Sequence, residues 1–305
     1  MSPQSPSPHY KSAALLMLAS AVLFGLMAVA IRLASQSLHT FEVAFFRNFF
    51  GLIATTPLLL RHGPSLLRTQ HFPRYLLRCL IGVIGMMCGF WAIGHLPLAQ
   101  AVALSYSSPI FVVIAAALFL GERVHARRWT AVALGFAGVL VITRPGSTDF
   151  NVGMGVAVVS AFMTGLVSIQ IKQLSALEPA DRIVFYTTLI WVPMSLVPAL
   201  LVWRWPQGIV WLWVIAAGVL GTGGHMLWTR ALKLGDVSAL TPISFTQLPV
   251  VATAGWLLFG ERVDHWTLLG TAIILVSSAY IAHREAVLAR RHATKEPLKS
   301  VEPST

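Results

Sequence analysis

Ten apolar runs follow one another along this chain, each close to the roughly 20 residues that an α-helix needs to cross a bilayer. They fall at 12–34, 41–60, 75–94, 98–120, 129–143, 152–171, 183–202, 210–232, 237–259 and 266–282, the fifth being short. Most connections are tight, so consecutive helices are expected to be antiparallel neighbours. Of 305 residues 56% are hydrophobic and 11% charged, where a soluble domain carries about 25% charged residues. A soluble fold with this composition exposes large apolar patches, whereas a bilayer solvates them. The first ten residues are rich in Ser and Pro, and no small-residue cleavage site follows the first apolar run. That run is therefore read as a helix and not as a removable signal.

The net charge of +11 has a one-sided distribution. With the N-terminus inside, seventeen of the 22 Lys and Arg fall on the cytoplasmic side, three (Arg144, Arg204, Arg262) fall outside, and Arg32 and Arg47 lie within spans. Arg78 is counted with the cytoplasmic group. This bias places both termini in the cytoplasm of a multi-pass protein in the inner (plasma) membrane. It accounts for the basic pI without a nucleic-acid partner. Cys79 and Cys88 lie nine residues apart, on opposite faces of one helix, so they do not pair. Trp203, Trp205, Trp211 and Trp213 mark one interface with the headgroups.

The chain repeats itself. At a shift of 139, Gly82, Gly85, Ala92 and Ser105 meet Gly221, Gly224, Ala231 and Ser244, and Gly121-Glu122-Arg123-Val124 meets Gly260-Glu261-Arg262-Val263. At a shift of 140, Ser20, Ala21, Gly25, Leu26, Ile31 and Phe45 meet Ser160, Ala161, Gly165, Leu166, Ile171 and Phe185. A repeat of five helices is odd, so the second copy enters the membrane from the opposite side. The expected fold is an all-α integral membrane protein, with ten transmembrane helices as two inverted five-helix repeats. Residues 1–11 form a cytoplasmic segment, 12–143 the first repeat, 152–282 the second, and 283–305 a basic cytoplasmic tail. Inverted repeats in carriers meet at a midplane solute site.

Each copy has a polar, proline-bearing helix ending in Gly-Glu, followed by a Trp that opens the last helix. The first reads Ser105-Tyr106-Ser107-Ser108-Pro109, Gly121-Glu122-Arg123 and Trp129. The second reads Thr241-Pro242, Gln247-Leu248-Pro249, Gly260-Glu261-Arg262 and Trp266. This pattern resembles the EamA domain of the drug/metabolite transporter superfamily over residues 13–282. Phe41-Glu42-Val43-Ala44-Phe45-Phe46-Arg47-Asn48 is similar to the second helix of a subgroup that includes S-adenosylmethionine and riboflavin uptake carriers. The resemblance implies a transporter of a small organic metabolite, an amino acid, nucleoside-like or vitamin-like solute, working by alternating access. Exporters share the fold. The second copy departs from the first at Thr187, which stands opposite Arg47, and at Ser277 and Ser278, where the first copy has Gly138.

Candidate solute contacts are Arg47, Trp91, Ser105, Tyr106, Ser108, His225, Trp228, Ser244 and Gln247. Arg47 either donates to a solute carboxylate or carbonyl, or holds helices together through Glu42 or backbone carbonyls. His225 either titrates or hydrogen-bonds the solute, or makes one interhelical bond. Trp91 stacks on a planar ligand or only packs. Pro109 and Pro249 remove backbone donors and free carbonyls one turn earlier, beside Ser and Thr hydroxyls that bind solute or their own backbone. Glu122 and Glu261 either latch neighbouring helix ends or mark where a span stops. A Walker-type phosphate loop and metal-ligand spacing are absent from the sequence. No ATP drive within this chain and no cofactor are therefore expected, and the spans hold too few convergent acids, histidines or nucleophile–base pairs for enzymatic activity to be expected. The partners expected are a solute and the bilayer, with a homodimer left open. A membrane-embedded enzyme and a non-transporting sensor are the competing classes.

Overall fold

The computed structural model describes residues 10–63, 69–119, 126–147, 150–175, 177–234, 240 and 243–295. Among these the regular structure is entirely α-helical. The helices are α1 (Tyr10–Ala34), α2 (Thr40–His62), α3 (Phe72–His95), α4 (Leu98–Ser105), α5 (Ser108–Phe119), α6 (Ala126–Thr143), α7 (Val152–Ser175), α8 (Ala180–Leu200), α9 (Val210–Leu234), α10 (Gln247–Phe259) and α11 (His265–Lys295). Six stretches are long and apolar enough to cross a membrane: Lys11–Ala34, Phe72–His95, Leu98–Ala115, Val152–Ile171, Arg182–Leu200 and Val210–Trp228. Trp129–Thr143, Gln247–Phe259 and His265–Ile281 are shorter apolar helices. Large apolar side chains point outward, with Leu15 66%, Val276 71% and Leu201 82% exposed, while alanines such as Ala28, Ala30, Ala34 and Ala44 fill the interior. Small residues inside and leucine outside is the pattern of helices that pack closely in lipid.

The packing follows the repeat. α1 lies on α9, α3 on α7, α2 on α8, and α6 on α11. Exchanging the two copies turns the first pair into the second and returns the last two to themselves. Individual contacts are duplicated as well. The Ser20 hydroxyl donates to the Gly224 carbonyl at 2.8 Å, and Ser160 donates to the Gly85 carbonyl at 2.7 Å. Gly25 lies against Val250, and its counterpart Gly165 lies against Phe111. At the α6–α11 crossing a Cβ on Gly270 would stand 2.6 Å from the Gly138 carbonyl oxygen, so these backbones touch. Ser277, which replaces that glycine in the second copy, donates instead to the Ala131 carbonyl.

The fourth run is not one continuous helix. It stops at Ser105, turns through Tyr106 and Ser107, and resumes at Ser108. The ninth turns at the equivalent Phe245 and Thr246. In both turns the hydrogen bonds tighten to i→i+3, from Ser107 N to Leu104 O and from Thr246 N to Ile243 O, each 3.1 Å. The Ser107 and Thr246 hydroxyls bond the same two carbonyls at 2.6 Å. Hydroxyls competing for the helix's own acceptors, next to a proline without an N–H, break each helix at one repeat position.

Polar contacts gather the connections at two ends. Arg32 meets Glu261 at 3.1 Å and Arg144 meets Asp264 at 3.2 Å, while Glu42 accepts from the Arg204 backbone N–H. These lie where α1, α6 and α10 finish and α2, α4, α7 and α11 begin. At the opposite end Glu178 accepts from Thr69 and Arg182, each at 2.5 Å. Arg78 does not sit in a connection. It lies inside α3 and is 7% exposed, because Thr187 and Cys79 offer it polar partners within the bundle.

Candidate functional site

The two broken helices meet at their breaks. Tyr106 and its repeat counterpart Phe245 lie edge to face, 5.2 Å between ring centroids. The Tyr106 hydroxyl donates to the Ser244 carbonyl at 2.7 Å and lies 3.1 Å from Gln247 Oε1. The Ser244 carbonyl has lost its helical donor, since Leu248 N bonds Phe245 O instead. The tyrosine therefore replaces a missing backbone bond. The Tyr106 carbonyl, loosened in the same way, accepts from Ser278 at 3.0 Å. Ser105 is served differently: residue 109 is proline, and phenylalanine stands where a second tyrosine would reach it. Its side chain is exposed, and its hydroxyl bonds its own helix at Val102 O.

Gly25 of α1 rests against Val250 and Gln247, and the adjacent Phe24 lies edge to face with His225, 4.9 Å between centroids. His225 is accessible although it lies midway along α9 among other helices. One turn earlier on α9, Gly221 admits the Arg47 guanidinium, whose Nη2 lies 3.0 Å from where a Cβ would stand. Arg47 is 7% exposed and bonds Asn48 Oδ1 at 3.0 Å; Asn48 in turn reaches Ser195 at 3.2 Å. Glu42 is not its partner. That carboxylate caps its own helix through His39 N at 2.8 Å and holds the Arg204 backbone. The phenylalanines of the same motif are buried against tryptophans, Phe46 on Trp203 and Trp211 at 5.4 and 5.5 Å.

Tyr106, Ser244 and Gln247 thus form one cluster, with His225 and then Arg47 beside it through α1 and α9. Ser105 and Ser108 flank the break. Trp91 stacks on His95 near the end of α3 at 3.9 Å, and Trp228 is 42% exposed one turn beyond His225. Pro109 and Pro249 sit just past the two breaks. Glu122 falls outside the described residues, as do Thr241 and Pro242. Ser278, Asn48, Ser195 and Arg78 were not among the site candidates read from the sequence, although Ser278 marked a departure between the copies, Asn48 closed the helix-2 motif and Arg78 entered the charge count. The first three are ordinary polar residues in apolar runs, and Arg78 reads as a loop charge.

Glu261 has three partners' worth of work at one helix end. Gly260 ends α10 with φ 64°, and the following N–H returns to Gly255 O at 3.0 Å. The carboxylate then accepts from Leu98 N at 2.6 Å, capping α4, whose own N-cap Pro97 supplies no side-chain bond. It also pairs with Arg32, which donates in addition to Ile93 O at 2.8 Å. Beside it a cavity of about 530 Å³ is lined by Leu96, Gln100, Asn151, Met154, Glu261 and Thr267, among others. Gln100 and the lining residue Ala252 are each five residues, about 7.5 Å, along their helices from Ser105 and Gln247. The cavity therefore lies at the Glu261 end of the same helix pair. At the opposite end, burial raises the Glu178 carboxyl pKa. Hydrogen bonds from Thr69 and Arg182, with the charges of Arg182 and His71, more than reverse this and hold it below the usual glutamate value.

Apolar helices with lipid-facing leucines, two of them broken against each other around polar groups, define a multi-pass membrane transporter. The chain belongs to the EamA-like transporter family, whose sequence profile matches residues 11–144 and 151–282. It is 34% identical to a riboflavin transporter of Vibrio cholerae serotype O1, over 93% of this chain and 97% of that one. It is 30% identical to an S-adenosylmethionine uptake transporter of Rickettsia felis (85% and 88% covered) and 32% identical to a pseudopaline exporter of Pseudomonas aeruginosa (88% and 94%). A solved crystal structure shares the fold, with a TM-score of 0.63 at 22% identity over 92% of this chain and 99% of the other. The protein is a metabolite transporter and not an enzyme.

Proposed function

We propose that the chain carries a small organic metabolite across the inner membrane by alternating access, through ten transmembrane helices in two inverted repeats. Amino acids, nucleoside-like and vitamin-like solutes are the candidates, the last two being the chemistry of the riboflavin and S-adenosylmethionine carriers it resembles. The observation that carries this reading is the meeting of the two helix breaks at Tyr106 and Phe245. Discontinuous helices leave backbone acceptors inside the bundle, where a desolvated solute needs partners. Ser105, Tyr106, Ser244 and Gln247 are the proposed contacts, with His225 and Arg47 beside them. Both termini are proposed to be cytoplasmic, which makes the Glu261 end the outer one. Two observations support the inversion: α1 finishes at that end while α7 starts from it, and the serine contacts are duplicated.

Purified protein in liposomes should accumulate at least one labelled solute from a panel of amino acids, nucleosides and vitamins, and Tyr106→Phe should slow that flux. A folded protein that moves none of them would overturn the reading. Export is the second reading, favoured by the likeness to the pseudopaline exporter. Comparing right-side-out with inverted vesicles under the same imposed gradient separates the two.

A further inference from the structure

The interior of the helix bundle holds cations and no anion among the side chains that the structure describes. Arg47 and Arg78 are each 7% exposed, and the Nε of both is buried without a partner. Their contacts are neutral: Asn48 for Arg47, Thr187 and Cys79 for Arg78. The acidic side chains that the structure describes are Glu42, Glu178, Glu261 and Asp264, and each is engaged at a helix end. A guanidinium within a membrane span is costly unless an anion or water compensates it. Five donors in a planar fork suit a carboxylate or phosphate, and each of these groups has an unspent one.

The two arginines are tied to one helix. Along α8, Thr187 holds Arg78, Trp191 donates to Cys79 O at 3.0 Å, and Ser195 accepts from Asn48, the partner of Arg47. Thr187 and Ser195 are eight residues apart, so the cations stand at levels separated by about 12 Å along the helix. We propose that the transported solute is an organic anion, whose acidic group pairs with the Arg47 guanidinium that Gly221 lets into the bundle, with Arg78 as the next cation along α8. This rests on the transport reading and adds to it the charge of the solute. Thr187, which replaces the arginine in the second copy, leaves this helix with Arg47 on the α2 side alone and gives Arg78 a neutral partner.

The test uses full-length protein in nanodiscs and matched pairs at constant ionic strength: benzoate against benzamide, and nicotinate against nicotinamide. The acids should raise Tm and the amides should not. Arg47→Gln should weaken the response to the acids about thirtyfold or more, the loss expected when one member of a buried charge pair is removed. Arg47→Lys, which keeps the charge, should recover part of it. Ligand-free Arg47→Gln should melt no lower than wild type, because an uncompensated charge has gone. Equal protection by acid and amide, an unchanged response in Arg47→Gln, or a lower ligand-free Tm for that variant would each overturn the proposal. The last outcome makes Arg47 an internal strut. A liposome panel separates this from the transport reading. Flux of neutral or cationic solutes without any acid would reject the anion and keep the carrier. Protection by the acids with no flux at all would keep the anion site and reject the carrier.

Discussion

At the scale of single residues, the Tyr106 hydroxyl is the most exposed to test. Tyr106→Phe leaves ring packing intact and removes the hydrogen bond donated to the Ser244 carbonyl. Losing one hydrogen bond inside the bundle costs about 0.5–1.5 kcal/mol, so Tm should fall and transport should slow together. Phe245→Tyr, the converse change, supplies a hydroxyl donor to the Ser105 carbonyl, which Pro109 leaves without its helical N–H, and should compete with the solute there, lowering affinity with little loss of Tm. Arg47 and Tyr106 were legible in the sequence because polar groups in apolar runs stand out. Ser278 and Arg78 were not. A serine in a membrane helix has no one-dimensional sign of which carbonyl it serves, and an arginine six residues into a helix reads as an interfacial charge until Thr187 is seen beside it.

At the scale of helices, close approach decides tolerance. Gly270→Ala drives a methyl into Ile142 and the Gly138 carbonyl and should cost about 1–3 kcal/mol, whereas a Cβ on Gly155 meets nothing within 4 Å. Gly155→Ala should be neutral or gain up to about 1 kcal/mol from helix propensity; thermal unfolding of the two variants checks the contrast. Glu261→Ala removes the cap on α4 and should cost about 0.5–2 kcal/mol. Glu261→Gln keeps an acceptor for Leu98 N and loses the charge pair with Arg32, so it should melt between the two. That the described residues are helical, with six stretches long and apolar enough to cross a membrane, was readable from apolar length alone. The breaks at Tyr106 and Phe245 were only half readable: Pro109 announces a lost donor, but the turn falls two residues earlier, where the Ser107 hydroxyl takes the Leu104 carbonyl.

For the whole molecule, acid should act from the Glu178 end. Its folded pKa lies below the ordinary glutamate value of about 4.3. The contribution is therefore complete above that value and is lost as pH falls through the folded one. Tm should drop as pH is taken down from about 4.3, and Glu178→Gln should flatten that part of the profile. The repeat was visible as two shifts, 139 and 140, and the structure gives them a physical meaning: residues matched in sequence, such as Ser20 and Ser160, make the same bond to matched carbonyls. What the shifts do not contain is which helices touch, because α1 finds its partner in the other copy.

The bond from Ser20 to Gly224 spans 204 residues. A ribosome adding roughly 5–20 residues per second makes the second partner about 10 to 40 s after the first. During that interval α1 is without its principal neighbour, because α9 is not yet synthesised. The first half of this carrier is thus born waiting for the second.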